Sequence, residues 1–422
     1  MVRIAHLADL HLGSWRDPDL KLLGIEALKK AVDDILSHGV EFVIIAGDLF
    51  HTALPSIDIV KEAVRQLKRL KDNGIAIYAV PGSHDYSPTG KTMLEVLEES
   101  GLLTIVSRAE DTNNGLRLRE YRHGSFSLYG MPGRALGLEK SYYKELIQPT
   151  LQEERINIFV MHSGILELLP KQLSMLEAVS ISDLPRGFDY YASGHIHRPG
   201  VHNLKGYLIG FPGPLMPDNF QELEELGIGG YYLIYINEEG RGERFVVNNK
   251  EIYVEYRPIM VKNVISISID CTGLTPREVN ERVIEELESK ELFDSIVLLR
   301  LQGVLASGRI SDIDFNRFAK IAEGRQAYKL LRNTSKLEQQ EYREISVEKK
   351  PVQEIEKELI DANIGKHIEL FDKDKEKRII NELMVILGSE RGEEEAKTSY
   401  EDRIIESAME KIDEELELPE DS

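Results

Sequence analysis

Aspartate and histidine, side chains that hold divalent metals and move protons near neutral pH, recur in this sequence just after apolar runs. Asp9 and His11 follow Val2–Ala8 as D-L-H, and Asp48 follows Glu41–Ala46 as G-D. Ser83, His84 and Asp85 follow Ile75–Val80 as G-S-H-D. His162 follows Ile156–Met161 as M-H, and His195 and His197 form G-H-I-H after Tyr190–Ala192. Each fragment alone is weak, because a D-x-H pair is commonplace and a lone strand-end histidine is more often a packed or surface residue. All five together, in this order, point to a metal centre. A carboxylate such as Asp48 can bridge two ions, and imidazole with carboxylate suits Mn, Fe or Zn. Two ions roughly 3.5–4 Å apart bind a phosphodiester oxygen and generate hydroxide at neutral pH.

Such a centre requires elements that bring the five loops together. To about residue 110 the pattern alternates strand and helix: Val2–Ala8, helix Ile25–Ser37, Glu41–Ala46, helix Ile57–Leu70, Ile75–Val80. Strands joined by helical crossovers imply a largely parallel α/β sheet, whose ligand sites lie at the strands' carboxyl ends. The glycines before Asp48, His84 and His195 permit sharp turns. Further strands are expected at Leu116–Tyr121, Ser125–Tyr129, Ile156–Met161, Tyr190–Ala192, Tyr207–Ile209 and Gly230–Ile236, with a helix near Lys140–Glu153, enough for two packed sheets with helices outside. Residues 251–333 read as a small α/β module (strand Val264–Asp270, helix Pro276–Ser289, strand Ser295–Leu301) that ends in a polar linker, Asn333-Thr334-Ser335. From 334 to 422 the pattern is helical and acidic, with apolar stripes in Val352–Ala362, Ile379–Leu387 and Ile404–Leu416 that call for a covering surface.

The chain has 422 residues and a net charge of -21, which is unfavourable for a partner made of phosphates. The charge is uneven: from residue 335 onward there are 27 acidic and 14 basic residues. Two divalent ions would also add positive charge where a phosphate must sit. No apolar run is long enough to cross a bilayer, and the N-terminus shows no signal-peptide pattern. The single cysteine, Cys271, excludes an intrachain disulfide and fits a reducing cytoplasm. Trp15 reads as a packed loop aromatic, with base stacking as the other reading, and Tyr190-Tyr191 as strand core.

The five blocks D-L-H, G-D-L-F-H, G-S-H-D, M-H-S-G and G-H-I-H resemble the signature of calcineurin-like metallophosphoesterases. The wording of three stretches is narrower. A-H-L-A-D-L-H-L-G at 5–13, I-A-G-D-L-F-H at 45–51 and D-L-P-R-G-F-D-Y-Y-A-S-G-H-I-H at 183–197 resemble the nuclease subunit of the double-strand-break repair complex, SbcD in bacteria, a family with archaeal and eukaryotic counterparts. The resemblance implies a four-layer sandwich of two mixed sheets flanked by helices over residues 1–250. It implies a DNA-capping module at 251–333 and, at 334–422, a docking segment for an SMC-like coiled-coil ATPase of the SbcC type. It also implies a homodimer, a cytoplasmic, nucleoid-associated location and two divalent ions, Mn²⁺ foremost. By the same resemblance Asp9, His11, Asp48 and His197 hold one metal, and Asp48, Ser83, His162 and His195 the other. His84 steadies the phosphate or protonates the leaving oxygen, Asp85 orients His84 through a hydrogen bond, and His51 contacts the phosphate or supports the site.

Two positions depart from the family pattern. Ser83 stands where the usual block has Asn, which puts the occupancy of the second metal in doubt; Pro214 stands where many relatives have Ser. The function expected is a two-metal DNA nuclease, a 3′–5′ exonuclease and single-strand endonuclease. The alternatives are a phosphodiesterase or phosphatase for a small nucleotide or phosphoprotein, and a scaffold that has lost its second metal. A small-molecule enzyme needs neither the module nor the docking helices, and retention of His84 and the late histidines speaks against the scaffold.

Overall fold

The computed structural model describes residues 2–87, 89–134, 139–169, 178–339, 360, 373–389 and 397–416. Residues 1–339 form one compact unit and 340–422 another.

In the first unit β1 (Val2–Leu7), β2 (Phe42–Ala46), β3 (Ala76–Val80) and β4 (Thr104–Ile105) run parallel, joined by α1 (Pro18–His38), α2 (Ile57–Asp72) and α3 (Met93–Glu99). A hairpin, β5 (Ala109–Thr112) and β6 (Gly115–Leu118), leads to a second sheet. That sheet holds β7 (Tyr121–His123), β8 (Phe126–Gly130), β9 (Ile156–His162), β12 (Tyr190–Gly194), β13 (Gly200–Leu204) and β14 (Tyr207–Phe211). Helix α4 (Glu139–Lys144) and the short pair β10 (Gly164–Ile165) and β11 (Ala178–Val179) lie between these strands in sequence. After α5 (Phe220–Leu226) the chain returns to the first sheet as β15 (Gly229–Ile236), antiparallel to β1, followed by β16 (Glu243–Val247) and β17 (Lys250–Ile259). Among the described residues the two sheets have seven and six strands.

Alternation along the strands builds the layers. Ile4, Phe42, Ile44, Tyr78 and Val80 pack inward against Phe126, Leu128, Ile158, Val160, Tyr190 and Ala192 of the second sheet. Their neighbours Ala5, Leu7, Val43, Ile45 and Ile77 face outward onto Leu28, Val32, Ile35, Leu67 and Leu70 of α1 and α2. Phe159, Met161, Tyr191 and Ile209 face the opposite way from the second sheet, covered by Tyr143, Leu184 and Phe188. The four-layer sandwich expected from the sequence is therefore present. Helix α1 starts earlier than its apolar period shows, because Asp17 caps it by accepting from the Asp19 and Leu20 N–H groups and Pro18 opens its first turn. The helix expected over Lys140–Glu153 stops at Lys144. There the backbone turns away to pair with β6: Leu116 N donates to Glu145 O (2.8 Å) and Ile147 N to Leu116 O (2.9 Å).

The small module follows: β18 (Asn263–Asp270), α6 (Pro276–Ser289), β19 (Ser295–Val304), α7 (Phe315–Gly324) and β20 (Lys329–Glu338), with all three strands parallel. Ile296 and Leu298 of β19 join the apolar cluster of α1, whereas Val297, Leu299 and Leu301 face α6 and α7. Asn333-Thr334-Ser335, expected as a linker, lies inside β20. The triplet forms an irregularity in which Asn333 Oδ1 accepts from Ser335 N (3.0 Å) and Oγ (2.8 Å), so its turn chemistry is spent within the strand. The described part of the second unit consists of two helices, Lys373–Leu387 and Lys397–Leu416, with Val385, Leu387, Ile405 and Met409 exposed. The helix expected over Val352–Ala362 falls outside the described residues, apart from Ile360.

Asp34 fastens α1 to the first sheet, accepting from Arg257 Nε (3.0 Å) and Nη2 (2.7 Å) and from Tyr231 Oη (2.7 Å). Burial pushes its pKa up, but Arg257 and Tyr231 outweigh burial and hold it below the ordinary range. A depressed carboxylate pKa stabilises the fold above the unfolded value, and that contribution is lost as pH falls below roughly 4. Asp34→Asn is expected to destabilise the first unit by about 1–3 kcal/mol at pH 7 and to flatten the acid limb of its stability curve. Chemical denaturation at several pH values checks this, and an unchanged acid limb would refute it.

Candidate metal centre

The loops after β1, β2 and β3 leave the same edge of the first sheet, and those after β9 and β12 the matching edge of the second. The loops after β1 and β2 are laced together: Asp9 N donates to Gly47 O (3.1 Å), His11 N to Asp48 O (2.9 Å) and Leu12 N to Leu49 O (3.1 Å). Asp9 (φ 52°), His11 (φ 40°) and Asp48 (φ 52°) in these paired loops, and His195 (φ 77°) after β12, occupy the left-handed backbone region, a state that costs non-glycine residues about 1–3 kcal/mol each and that concentrates at functional sites. Two glycines are obligatory for space. A Cβ on Gly47 would lie 2.2 Å from His162 Nδ1, and one on Gly82 would lie 2.2 Å from Asp48 Oδ1.

Asp9, His11, Asp48, Ser83, His162, His195 and His197 gather in one pocket, with His84 and His51 beside it. Ligand atoms of Asp9, His11 and His197 lie within 4.8 Å of one another, as do those of Asp9, Asp48 and His162, and those of His11, His51 and His84. Asp48 Oδ2 is 3.1 Å from His162 Nε2 and 3.6 Å from His11 Nε2, so one oxygen faces both groups. Asp48 Oδ1 accepts from His84 N (2.8 Å), and Asp9 Oδ1 accepts from His195 N (2.9 Å). Ser83 Oγ is 3.5 Å from Asp48 Oδ2. The His195 ring is 5.4 Å, centroid to centroid, from that of His162.

Hydrogen bonds at the far side of the rings fix their tautomers. His162 Nδ1 donates to Ala46 O (2.8 Å), His84 Nδ1 to His51 O (3.0 Å) and His197 Nδ1 to Glu222 Oε1 (2.8 Å), and each Nε2 is left for the pocket. His11 Nε2 and His197 Nε2 face each other at 3.2 Å. Asp9 Oδ2 is buried without a hydrogen-bond partner, and His162 Nε2 meets only the Asp48 carboxylate. Buried acceptors in this arrangement, two carboxylates among imidazole nitrogens, fit divalent cations.

Burial pushes His162 down, but Asp48 and then Asp9 outweigh it and lift the ring to about 10. Burial likewise opposes His197, yet Glu222 and Asp9 lift it to about 9. His11 and His195, where burial dominates, fall to about 3 and about 4. Burial raises Asp48, and the surrounding histidines, His162 foremost, reverse this and drive it far below its ordinary value.

One side chain differs from expectation, and two others went unnoticed in the sequence. Asp85 does not reach His84. Its buried carboxylate accepts from Gly82 N (2.9 Å), Phe50 N (3.2 Å) and Leu49 N (3.4 Å), tying the loops after β2 and β3, and the His51 carbonyl orients His84 in its place. The sequence reading also missed Glu222, whose Oε2 accepts from Asp218 N (3.1 Å) while Asn219 caps α5 through Glu222 N. The only signal was Asn219-x-x-Glu222, a capping pattern that reads as a helix start and not as a site. Arg134 was missed as well. It lies over the Tyr86 ring, 3.9 Å from the centroid, next to Gly133, which abuts His162. Trp15 is a packed residue, donating Nε1–H to Pro217 O (3.1 Å).

Residues 2–199 match the calcineurin-like phosphoesterase family, and with the two-sheet sandwich and its strand-end carboxylates and imidazoles the chain carries a calcineurin-like metallophosphoesterase domain. Similarity extends further with archaeal proteins named DNA double-strand break repair protein Mre11. The chain is 28% identical to that of Archaeoglobus fulgidus, over 97% of this chain and 90% of the relative. It is 28% identical to that of Sulfurisphaera tokodaii over 70% and 73%, and 34% identical to that of Haloferax volcanii over 72% and 62%. These are homologues of the chain, and the resemblance to the break-repair nuclease family read from the stretches at 5–13, 45–51 and 183–197 is borne out.

Two predictions follow from this geometry. Imidazole binds a cation as a neutral ligand, so rings lifted to about 9 and about 10 must lose their protons on metal uptake. Apparent Mn²⁺ affinity therefore rises with pH from 6 to 9, by up to about tenfold per pH unit for each proton released. Calorimetry in buffers of different ionisation enthalpy measures the released protons; none at pH 7 would contradict the assignment. Ser83→Asn, which extends an amide oxygen toward Asp48, is expected to tighten the weaker of two Mn²⁺ sites by roughly tenfold, a gain of about 1.4 kcal/mol. Unchanged affinities in the same titration would sink that reading of Ser83.

Proposed function

We propose that this chain is a metal-dependent DNA nuclease of double-strand-break repair. The observation that carries the proposal is the convergence of two buried aspartates and the strand-end histidines on one pocket, in a chain whose homologues bear the break-repair name. Asp9, His11, Asp48 and His197 hold one cation, and Asp48, Ser83, His162 and His195 the other, with Mn²⁺ the expected ion. When bound, the cations supply positive charge for a phosphodiester oxygen and acidify a water.

The chain's own residues supply the rest. With its Nδ1–H donated to the His51 carbonyl, His84 presents Nε2 to the pocket. A proton at that atom steadies the phosphate or passes to the 3′ oxygen as it leaves. The His51 ring stacks on His84, with centroids 5.1 Å apart and planes 26° apart, and limits its swing. Asp85 holds the two loops that carry Asp48 and His84 at a fixed spacing. The family resemblance supports 3′–5′ exonuclease action on duplex ends, nicking of single strands, and dimerisation through the phosphoesterase domain. It also supports docking of an SMC-like ATPase on the 334–422 segment, whose exposed Val385, Ile405 and Met409 are the kind of apolar surface such a partner covers. No helix among the described residues is long and apolar enough to cross a membrane, and the expected location is the nucleoid.

Labelled duplex and single-stranded DNA, incubated with the full chain and Mn²⁺ beside a generic phosphodiester, test the proposal. DNA cleavage is expected, and His84→Ala should lose about 10²–10⁴ of the rate while still binding Mn²⁺. Hydrolysis of the generic ester with DNA left intact, even in the presence of the ATPase partner, would instead favour a small-molecule phosphodiesterase.

A further inference from the structure

Two clamps of charged residues join the small module to the phosphoesterase body, and both lead to the same half of the metal centre. At the first, Lys329 Nζ of β20 is 2.5 Å from Asp17 Oδ2 and 3.1 Å from Asp19 Oδ2, while Tyr328 Oη donates to Asp19 O (3.1 Å). Asp17 caps α1 and closes the loop that begins with Asp9 and His11. At the second, Arg300 of β19 grips Glu224 with a fork, Nε to Oε1 at 2.8 Å and Nη2 to Oε2 at 2.6 Å, and lies over the Phe220 ring. Both partners sit on α5, whose Glu222 orients His197. Trp15 links the clamps by its bond to Pro217 O, just before α5. Ser83 and His162 are held otherwise, through Asp48 and Ala46 O, and His195 follows directly on β12, whose Gly194 pairs with His162 of β9, so that its backbone bond to Asp9 is its one tie to the braced loop.

A ligand on a loop binds well only when its supports hold it to within about half an ångström, and removing the carboxylate behind a ligating histidine typically weakens metal binding about 10–100-fold. A bidentate guanidinium–carboxylate pair fixes direction as well as distance. We propose that the small module braces one cation site and not the other. Through Arg300, α5 and Glu222 it positions His197, and through Lys329 and Asp17 it positions the loop of Asp9 and His11. Loosening the module thus weakens the cation held by Asp9, His11 and His197 and spares the one held by Ser83, His162 and His195. The proposal rests on the two-cation reading above.

Mn²⁺ titrations of the full chain, followed by calorimetry and by the electron paramagnetic resonance of free Mn²⁺, test it, with His197→Ala identifying the braced site. Arg300→Ala is expected to weaken that site by roughly tenfold, and Glu222→Gln by about 10–100-fold, with the other site unchanged within about twofold. Arg300→Ala with Glu222→Gln should be no weaker than Glu222→Gln alone, because both act on one path. The exchange Arg300→Glu with Glu224→Arg should restore binding. Arg300→Lys keeps the charge without the fork and carries the test if Arg300→Ala does not fold. Equal weakening of both sites, or affinities unchanged in a cooperatively folded Arg300→Ala or Arg300→Lys, overturns the brace alone. Wild type that takes up fewer than two Mn²⁺ overturns the two-cation reading together with it.

Discussion

Two aspartates buried side by side set the terms for everything around them. Strands β1 and β2 pair in parallel with Leu7 opposite Ile45, so the loops that follow deliver Asp9 and Asp48 to one spot, both almost fully withdrawn from water. Two carboxylates in a low-dielectric interior repel each other and lose their hydration, a combination tolerated only with opposite charge and directed hydrogen bonds close by. The fold supplies both. Backbone N–H groups of His84 and His195 bind Oδ1 of Asp48 and of Asp9, His162 and His11 face Asp48 Oδ2, and the His197 ring approaches Asp9 Oδ1. The glycines follow from this crowding, because the volume a Cβ would fill at positions 47 and 82 is taken by His162 and Asp48.

Left-handed backbone at four of these residues opposes folding, and the layers behind them offset it. The residues just upstream, Ile4 to Ala8 and Phe42 to Ala46, are nearly all completely buried between helices and the second sheet, and each large apolar side chain contributes about 1.5–3 kcal/mol. The rigidity that results is what a metal site requires. Carboxylates and imidazoles arrive already placed, and little ordering remains when cations bind.

Much of this was legible in the sequence because the signals were local. An apolar run that ends in a metal-ligand residue is visible without knowing where the strand goes, and the parallel β1–β2–β3 order follows from helices at crossover spacing. The apolar period located α6 to its exact ends, since Thr275 and Glu278 form a capping box and Pro276 opens the helix. What escaped depended on partners distant in the chain. Asp85 next to His84 reads as its orienting carboxylate, yet the turn points it back at the amides of Leu49 and Phe50. Glu222 gains its role only because β12, β14 and α5 fold back beside the loop of His197. Asn333-Thr334-Ser335 has linker composition, and only its pairing with β19 makes it strand. The helix expected to run to Glu153 was broken by a pairing with β6 that no local pattern announces.

The acidity of the chain is consistent with this architecture. An exposed charge is screened beyond about 8 Å at physiological ionic strength, so the net charge of the whole chain need not govern the field inside a buried pocket. At the pocket itself the carboxylates of Asp9, Asp48, Asp218 and Glu222 attract cations and repel phosphate, and the protons that His162 and His197 carry without a cation are given up when one binds. Much of the affinity for a phosphodiester at this site is therefore conferred by the ions these carboxylates collect, with His84 adding a single donor. That division explains why an acidic protein can act on a polyanion. It also explains why the precision of the fold is spent on carboxylates and imidazoles, with basic side chains such as Arg300 and Lys329 used to hold those ligands in place.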